Sequence, residues 1–298
     1  MRKVMAKLLV GAVLTATVSA LAGLDVTRYI PQGTKIVLRV DLKAALQSEL
    51  MTAILQQQAD KFGLVQEFLS QNVGIALSDV DTLWLLSSQP NAGVVVCKGR
   101  FDGQAVRARF GNLPNVTDLG RQDCDFACRF LDAKKNTMQM GAVVDAETMV
   151  VGDETSVMSF LATLQGAAKS LPADQPRLER LKNDKSVLAG TLIGPAVDWP
   201  GADKEMARYV IDVWASGGLA KDVDVVLNLG VDSPEHAEGI GHIIQGFVIL
   251  KSDDSNSVQN PLLRSLLRAI TVTQDENRLA ITVKAPGDQI QQLAAQGR

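Results

Sequence analysis

Histidine is nearly absent from this 298-residue chain, which holds only His236 and His242. The two fall six residues apart in one helical stretch, so a 3.6-residue turn sends them to different sides and no metal can draw on both. A Ser-His-Asp or Cys-His site would have to recruit one of them, and no G-x-S-x-G turn is present. Aromatic residues make up 4%. Trp84, Trp199 and Trp214 are scattered, which leaves no clustered platform for a sugar. There is no run of basic residues and no phosphate-binding loop. After residue 22, no apolar run reaches the roughly 20 residues that a spanning helix needs.

The first 22 residues differ from the rest. "MRKVMAK" is short and basic, "LLVGAVLTATVSALA" is apolar, and Ala20-Leu21-Ala22 supplies the small-x-small pattern of a signal peptidase site. The expectation is a signal peptide over 1–22 with cleavage after Ala22, hence a periplasmic or secreted protein, soluble once cleaved. Without that segment 27 basic and 33 acidic residues remain, a net charge of −6. Such a surface disfavours nucleic acid and anionic lipid as partners.

The rest reads as alternating strands and helices in two halves. "KIVLRVDL" is a β-branched strand after the turn "PQGT", and helical spacing follows at Leu46, Leu50 and Ile54. "DVDTLWLLSS" and "AGVVVCKG" are strands, "FDGQAVRARF" a short helix, and "FACRFL", "TMQMGAVV" and "TMVVG" an antiparallel meander. "DETSVMSFLATLQ" is a helix with cap residues at its start. "GAAKSLPADQP" reads as a linker. Beyond it come the strand "SVLAGTLIG", a helix "DKEMARYVIDVWA", the strand "DVDVVLNLGV", a helix opened by Ser233-Pro234, another after Asn260-Pro261, a hairpin turning at Asp275 to Asn277, and a last helix. Four residues separate each of Gly74 and Gly217 from a following Asp-Val-Asp, and both halves end in a hairpin and then a helix. The expected fold class is α+β, with two related modules, 23–165 and 177–298, joined by the linker 166–176. Each module would carry an antiparallel or mixed sheet with helices mainly on one face.

"YIPQGTKIVLRVDL", "GRFD" and "TMVVGDETSV" resemble the Ile-Pro turn, Val-Asp-Leu strand, Gly-Arg-Phe-Asp and Val-Val-Gly motifs of a loose group of exported bacterial proteins. That resemblance implies an envelope location and a repeated α+β build. It brings no activity with it, because the group has no known activity.

Chemistry is sparse. Asp79/Asp81 and Asp222/Asp224 could each present two carboxylates on one strand face, about 7 Å apart. More often such acids are solvated residues at a strand entrance. "GIGHIIQG" lacks the third glycine of a dinucleotide fingerprint and starts too deep in a helix to offer free N–H groups. Its glycines, Gly239, Gly241 and Gly246, suit close packing or a bend.

The stretch "RQDCDFACRF" holds Cys124 and Cys128. On a strand, Cys124, Phe126, Cys128 and Phe130 would share one face. The two cysteines would then lie about 13 Å apart, beyond the roughly 7 Å reach of a disulfide. Export permits oxidation. Three states stay open: a disulfide from Cys97 to Cys124 or to Cys128, three reduced thiols, or a Cys124–Cys128 bridge on a turn. No cofactor and no metal set is expected. The functional expectation is a non-catalytic protein of the cell envelope that acts by binding an unknown protein or envelope component. One alternative is a carrier or chaperone for an apolar ligand or peptide on an open sheet face. Another is a hydrolase with an unrecognised carboxylate site.

Overall fold

Every described strand in the computed structural model joins one sheet. The structure describes residues 24–296 apart from 60–62, 64–65, 68, 90–91, 114, 133–136, 173, 199–203 and 254–260. The expected signal peptide and Trp199 lie outside the described residues.

A 3₁₀ turn (Val26–Tyr29) leads to β1 (Ile36–Asp41), α1 (Leu42–Gln47) and α2 (Glu49–Gln57). A π-helical turn (Leu69–Val73) precedes β2 (Val80–Gln89), β3 (Ala92–Gly99) and α3 (Gly103–Phe110). Strands β4 (Val116–Asp118), β5 (Phe126–Asp132), β6 (Thr137–Asp145) and β7 (Thr148–Asp153) run into α4 (Glu154–Leu164). The second half holds α5 (Pro176–Asn183), β8 (Leu188–Leu192), α6 (Lys204–Ala207), β9 (Val210–Leu219) and β10 (Val223–Val231). It ends with α7 (Pro234–Asp253), α8 (Pro261–Arg268), β11 (Ile270–Asp275), β12 (Arg278–Ala285) and α9 (Gly287–Gln296).

The motif residues set these boundaries. Asp41 Oδ1 accepts from Ala44 N at 2.8 Å and starts α1. Asp102 accepts from Gln104 N and Ala105 N and starts α3. Asp153 caps α4 through Ser156 N at 2.9 Å, while its other oxygen accepts from Gly93 N at 2.6 Å. A cap of this kind contributes about 1 kcal/mol. Ser48 divides the expected long helix into α1 and α2 by capping the second.

The fold is α+β, with twelve antiparallel strands among the described residues, in the order β11-β12-β10-β9-β8-β1-β2-β3-β7-β6-β5-β4. The two halves therefore share a sheet, and β1 and β8 pair at the seam from Ile36↔Leu192 to Val40↔Leu188. Outward from the seam, β1-β2-β3-β7-β6 on one side has the same arrangement as β8-β9-β10-β12-β11 on the other. The Asp-Val-Asp motifs do not mark equivalent places in it: one opens β2, second from the seam, and the other enters β10, third from the seam. Segment 166–176 is stitched to the opening turn. Gln32 N donates to Lys169 O, Leu171 N donates to Ile30 O, and Leu171 is buried.

Helices cover both faces of the N-terminal half, more than the one-face expectation. On one face Val37, Trp84, Val96, Val150 and Ala142 pack under α4 and α5 through Val157, Phe160, Leu178 and Leu181. On the other, Cys97, Val143, Phe126 and Cys128 pack under α3 through Val106. Alternation along each strand produces the division, since neighbouring residues point to opposite faces. In the C-terminal half α7 packs on the α3 side, with Ala237 and Ile240 against Leu279 and Val231. Helix α7 also flanks the outer edge strand, where Gln274 Nε2 donates to Pro234 O at 3.0 Å. A helix there shields backbone groups that would otherwise invite another strand.

The stretch "MARYVIDVWA" departs from expectation. Only Lys204–Ala207 is helical, and from Val210 the chain is β9. Its apolar residues fit both a helical and a period-two reading. Partners on both sides, β8 and β10, decide for the strand.

Candidate functional site

Between the α3-side face of the sheet and its roof lies a cavity of about 360 Å³. Its floor is the cross-strand row Leu83, Cys97, Met149, Val143 and Phe126, with Gly141 and Cys128 in the next row. Its roof is α3, through Val106 and Phe110, and the π-helical turn, through Leu69 and Val73. Every described lining residue is aliphatic, aromatic, glycine, methionine or cysteine. A void of this size lined by such side chains suits an apolar occupant, because water would find few partners in it.

Local sequence builds the void. Val106 and Phe110 are one helical turn apart, so they meet the floor together. Phe110 meets Phe130 edge-on, with ring centroids 5.4 Å apart. Gly74 ends the π-helical turn with φ of +83°, where side chains are strained, and it sits against the Ala105 carbonyl of α3. Gly141 leaves the floor open, since a Cβ there would touch Phe130, Val150 and Cys128 only at 3.7–3.9 Å.

The cysteines separate. All three are free thiols. Cys97 and Cys128 line the cavity, but β7 and β6 stand between their strands, a separation of about 14 Å at strand spacing. That span rules out a Cys97–Cys128 disulfide in this fold. Cys124 corrects the alternation reading. Strand β5 begins only at Phe126, and Cys124 lies in the bend before it, packed against the core on the opposite face. It joins neither Cys97 nor Cys128.

Burial pushes the Cys97 and Cys128 thiols up to about 12. At pH 8 their thiolate fraction is then roughly 10⁻⁴. Iodoacetamide at pH 8 is expected to label half-buried Cys124 first, and the other two only after denaturant opens the fold. Peptide mass spectrometry reads this, and equal rates at all three would contradict the burial of Cys97 and Cys128. The same burial makes alkali destabilising. Unfolded thiols ionise from about pH 9 and folded ones from about 12, so stability present below pH 9 is lost as the pH rises between those values.

The other candidates do not assemble. Asp79 pairs with Arg100 and caps Ala76, and Asp81 pairs with Lys43. Asp222 accepts from Gly287 N, and Asp224 pairs with Lys284. Four strand spacings, about 19 Å, separate β2 from β10. His236 bonds Asp232 at 2.7 Å and stacks on Tyr209, while His242 is exposed. Of the three α7 glycines only Gly241 is tight, against Leu279, and Gly239 and Gly246 face open space. Among the described residues no group of three or more His, Cys, Asp or Glu could hold a metal. None of their helices is long and apolar enough to cross a membrane.

A second feature escaped the sequence reading. Helix α7 exposes Ile243, Phe247, Ile249 and Leu250, each more than half accessible. Its length of apolar sequence signalled a helix but not which side would stay uncovered.

No established protein family matches the sequence, and no curated protein does. Solved structures do. The chain is similar to TP0453 in crystal form III, with a TM-score of 0.53 at 9% identity, over 92% of this chain and 99% of that one. It is similar to crystal form IV of the same protein, with a TM-score of 0.52 at 10% identity, over 91% and 97%. At such identity the likeness is one of fold.

Proposed function

We propose that the protein is a non-catalytic carrier of small apolar ligands, working in the cell envelope after export. The observation that carries the reading is the cavity, which is closed on one side by a sheet floor and on the other by α3 and the π-helical turn. Among the described residues its lining offers hydrocarbon contact and no carboxylate, imidazole, amine or hydroxyl side chain to do acid–base work. The envelope location rests on the signal-peptide reading of residues 1–22. The matching strand order on the two sides of the β1/β8 seam supports reading the halves as related modules, of which the first has kept or gained a cavity.

The test is a titration of the purified chain, lacking residues 1–22, with N-phenyl-1-naphthylamine, whose emission rises in apolar surroundings. Saturable binding at one site per chain, with a Kd in the micromolar range or tighter, is expected. Linear, unsaturable emission would overturn the reading.

A further inference from the structure

Resting on the carrier reading, we infer that the cavity takes a single-chain amphiphile with an anionic head, and that Arg109 receives the head. At about 30 Å³ per water-sized group, a volume of 360 Å³ holds about twelve methylenes. Among the described residues nothing in the lining can solvate a polar head, and burying one unpaired is costly. The head of any amphiphile must therefore stay at the rim while the tail goes in.

Cations lie close in the chain to lining residues, and their partners differ. Lys43, next to lining residue Leu42, pairs with Asp81 at 3.7 Å. Arg100 pairs with Asp79 at 3.6 Å. Arg107, next to lining residue Val106, pairs with Asp118 at 3.3 Å and lies over the ring of Phe126. Arg109 is the exception. Among the described residues it meets no carboxylate, and its guanidinium donates to the backbone carbonyl of Ser70.

Its position fits the role. Arg109 is followed by Phe110 on α3, and Ser70 follows Leu69 on the π-helical turn, so the bond crosses the seam between the two roof elements. Gly74 brings the turn against the Arg109 stem, with 3.2 Å from a Cβ position there to Arg109 Cδ. A carboxylate arriving at the seam would replace a neutral acceptor by a charged one, and such bonds are roughly twice as strong. Guanidinium geometry also suits a two-oxygen head.

The experiment displaces N-phenyl-1-naphthylamine from the whole mature chain with dodecanoate, dodecanol and dodecane, at pH 8. Dodecanoate is expected to displace it at concentrations at least tenfold lower than dodecanol. The advantage should collapse in Arg109→Gln and largely persist in Arg109→Lys. Dodecanol displacement should be the same in all three proteins, which separates a lost head contact from a damaged fold. Equal displacement by acid and alcohol would overturn the head assignment and leave the carrier reading intact. An acid advantage that survives Arg109→Gln would assign the head to another residue and overturn the role of Arg109. Probe binding with no displacement by any of the three would overturn the chain-length class. Absence of probe binding would instead sink the carrier reading itself.

Discussion

Replacing Gly152 by alanine is expected to destabilise the fold by about 3 kcal/mol, the upper part of the range for overpacking a core. Gly152 pairs with Val94 where β7 meets β3. A Cβ at Gly152 would fall inside contact distance of the Gly93 carbonyl oxygen and 2.9 Å from Val94 Cα. Both obstacles are backbone, so no side chain can swing away. The strands would have to part, and with them the bond from Gly93 N to Asp153 that ties β3 to the start of α4. Urea denaturation of the two proteins measures the difference. Gly218→Ala in β9 is the control, because nothing lies within 4 Å of a Cβ there. It should leave stability unchanged or raise it by up to about 1 kcal/mol. A Gly152→Ala protein as stable as its parent would mean that β3 and β7 are not so closely paired.

Gly141→Leu is expected to weaken probe binding at least tenfold, about 1.4 kcal/mol, with stability kept or raised. The position has room: contacts at 3.7–3.9 Å are ordinary, and the side chain would grow into the cavity beside Cys128. Four added carbons occupy roughly 120 Å³ at about 30 Å³ each, a third of the void. Filling a void recovers lost contacts, and replacing a strand glycine removes about 0.5–1 kcal/mol of backbone entropy cost. Probe titration and urea denaturation on one preparation read both effects. A variant that binds as tightly as the parent would place the ligand elsewhere. A variant that unfolds would show that the space is not there.

The strands and caps of this fold are legible in the sequence because they depend on local chemistry. Asp153 and Ser233 announce helix starts, and the apolar runs of β3, β6 and β7 announce strands. What stayed hidden depends on partners. Val210 to Ala215 carries two periodicities, and only the flanking strands β8 and β10 select between them. Cys124 was placed one bend too far into β5, since alternation has no marker for where a strand begins. The cavity was half legible. Phe126, Cys128 and Phe130 reveal one floor strand, but an empty space is a property of how α3 and a π-helical turn stand off from the sheet. No residue encodes that distance by itself. The glycines of the Gly-Arg-Phe-Asp and Val-Val-Gly motifs are places where backbone meets backbone, as at Gly99 against the Asp79 carbonyl.

The pairing of β1 with β8 sets the order of events when the chain folds. Strand β1 is synthesised some 150 residues ahead of β8, its partner on one side. Until then the N-terminal half presents an unpaired, β-branched edge in the middle of the future sheet. Closing so long a loop is slow compared with forming local hairpins. The hairpins β2–β3 and β6–β7 can form early, whereas the seam must close late. Refolding should therefore show a fast phase from local strands and a slower one from the seam, with the half-made molecule prone to pair β1 with a neighbouring chain.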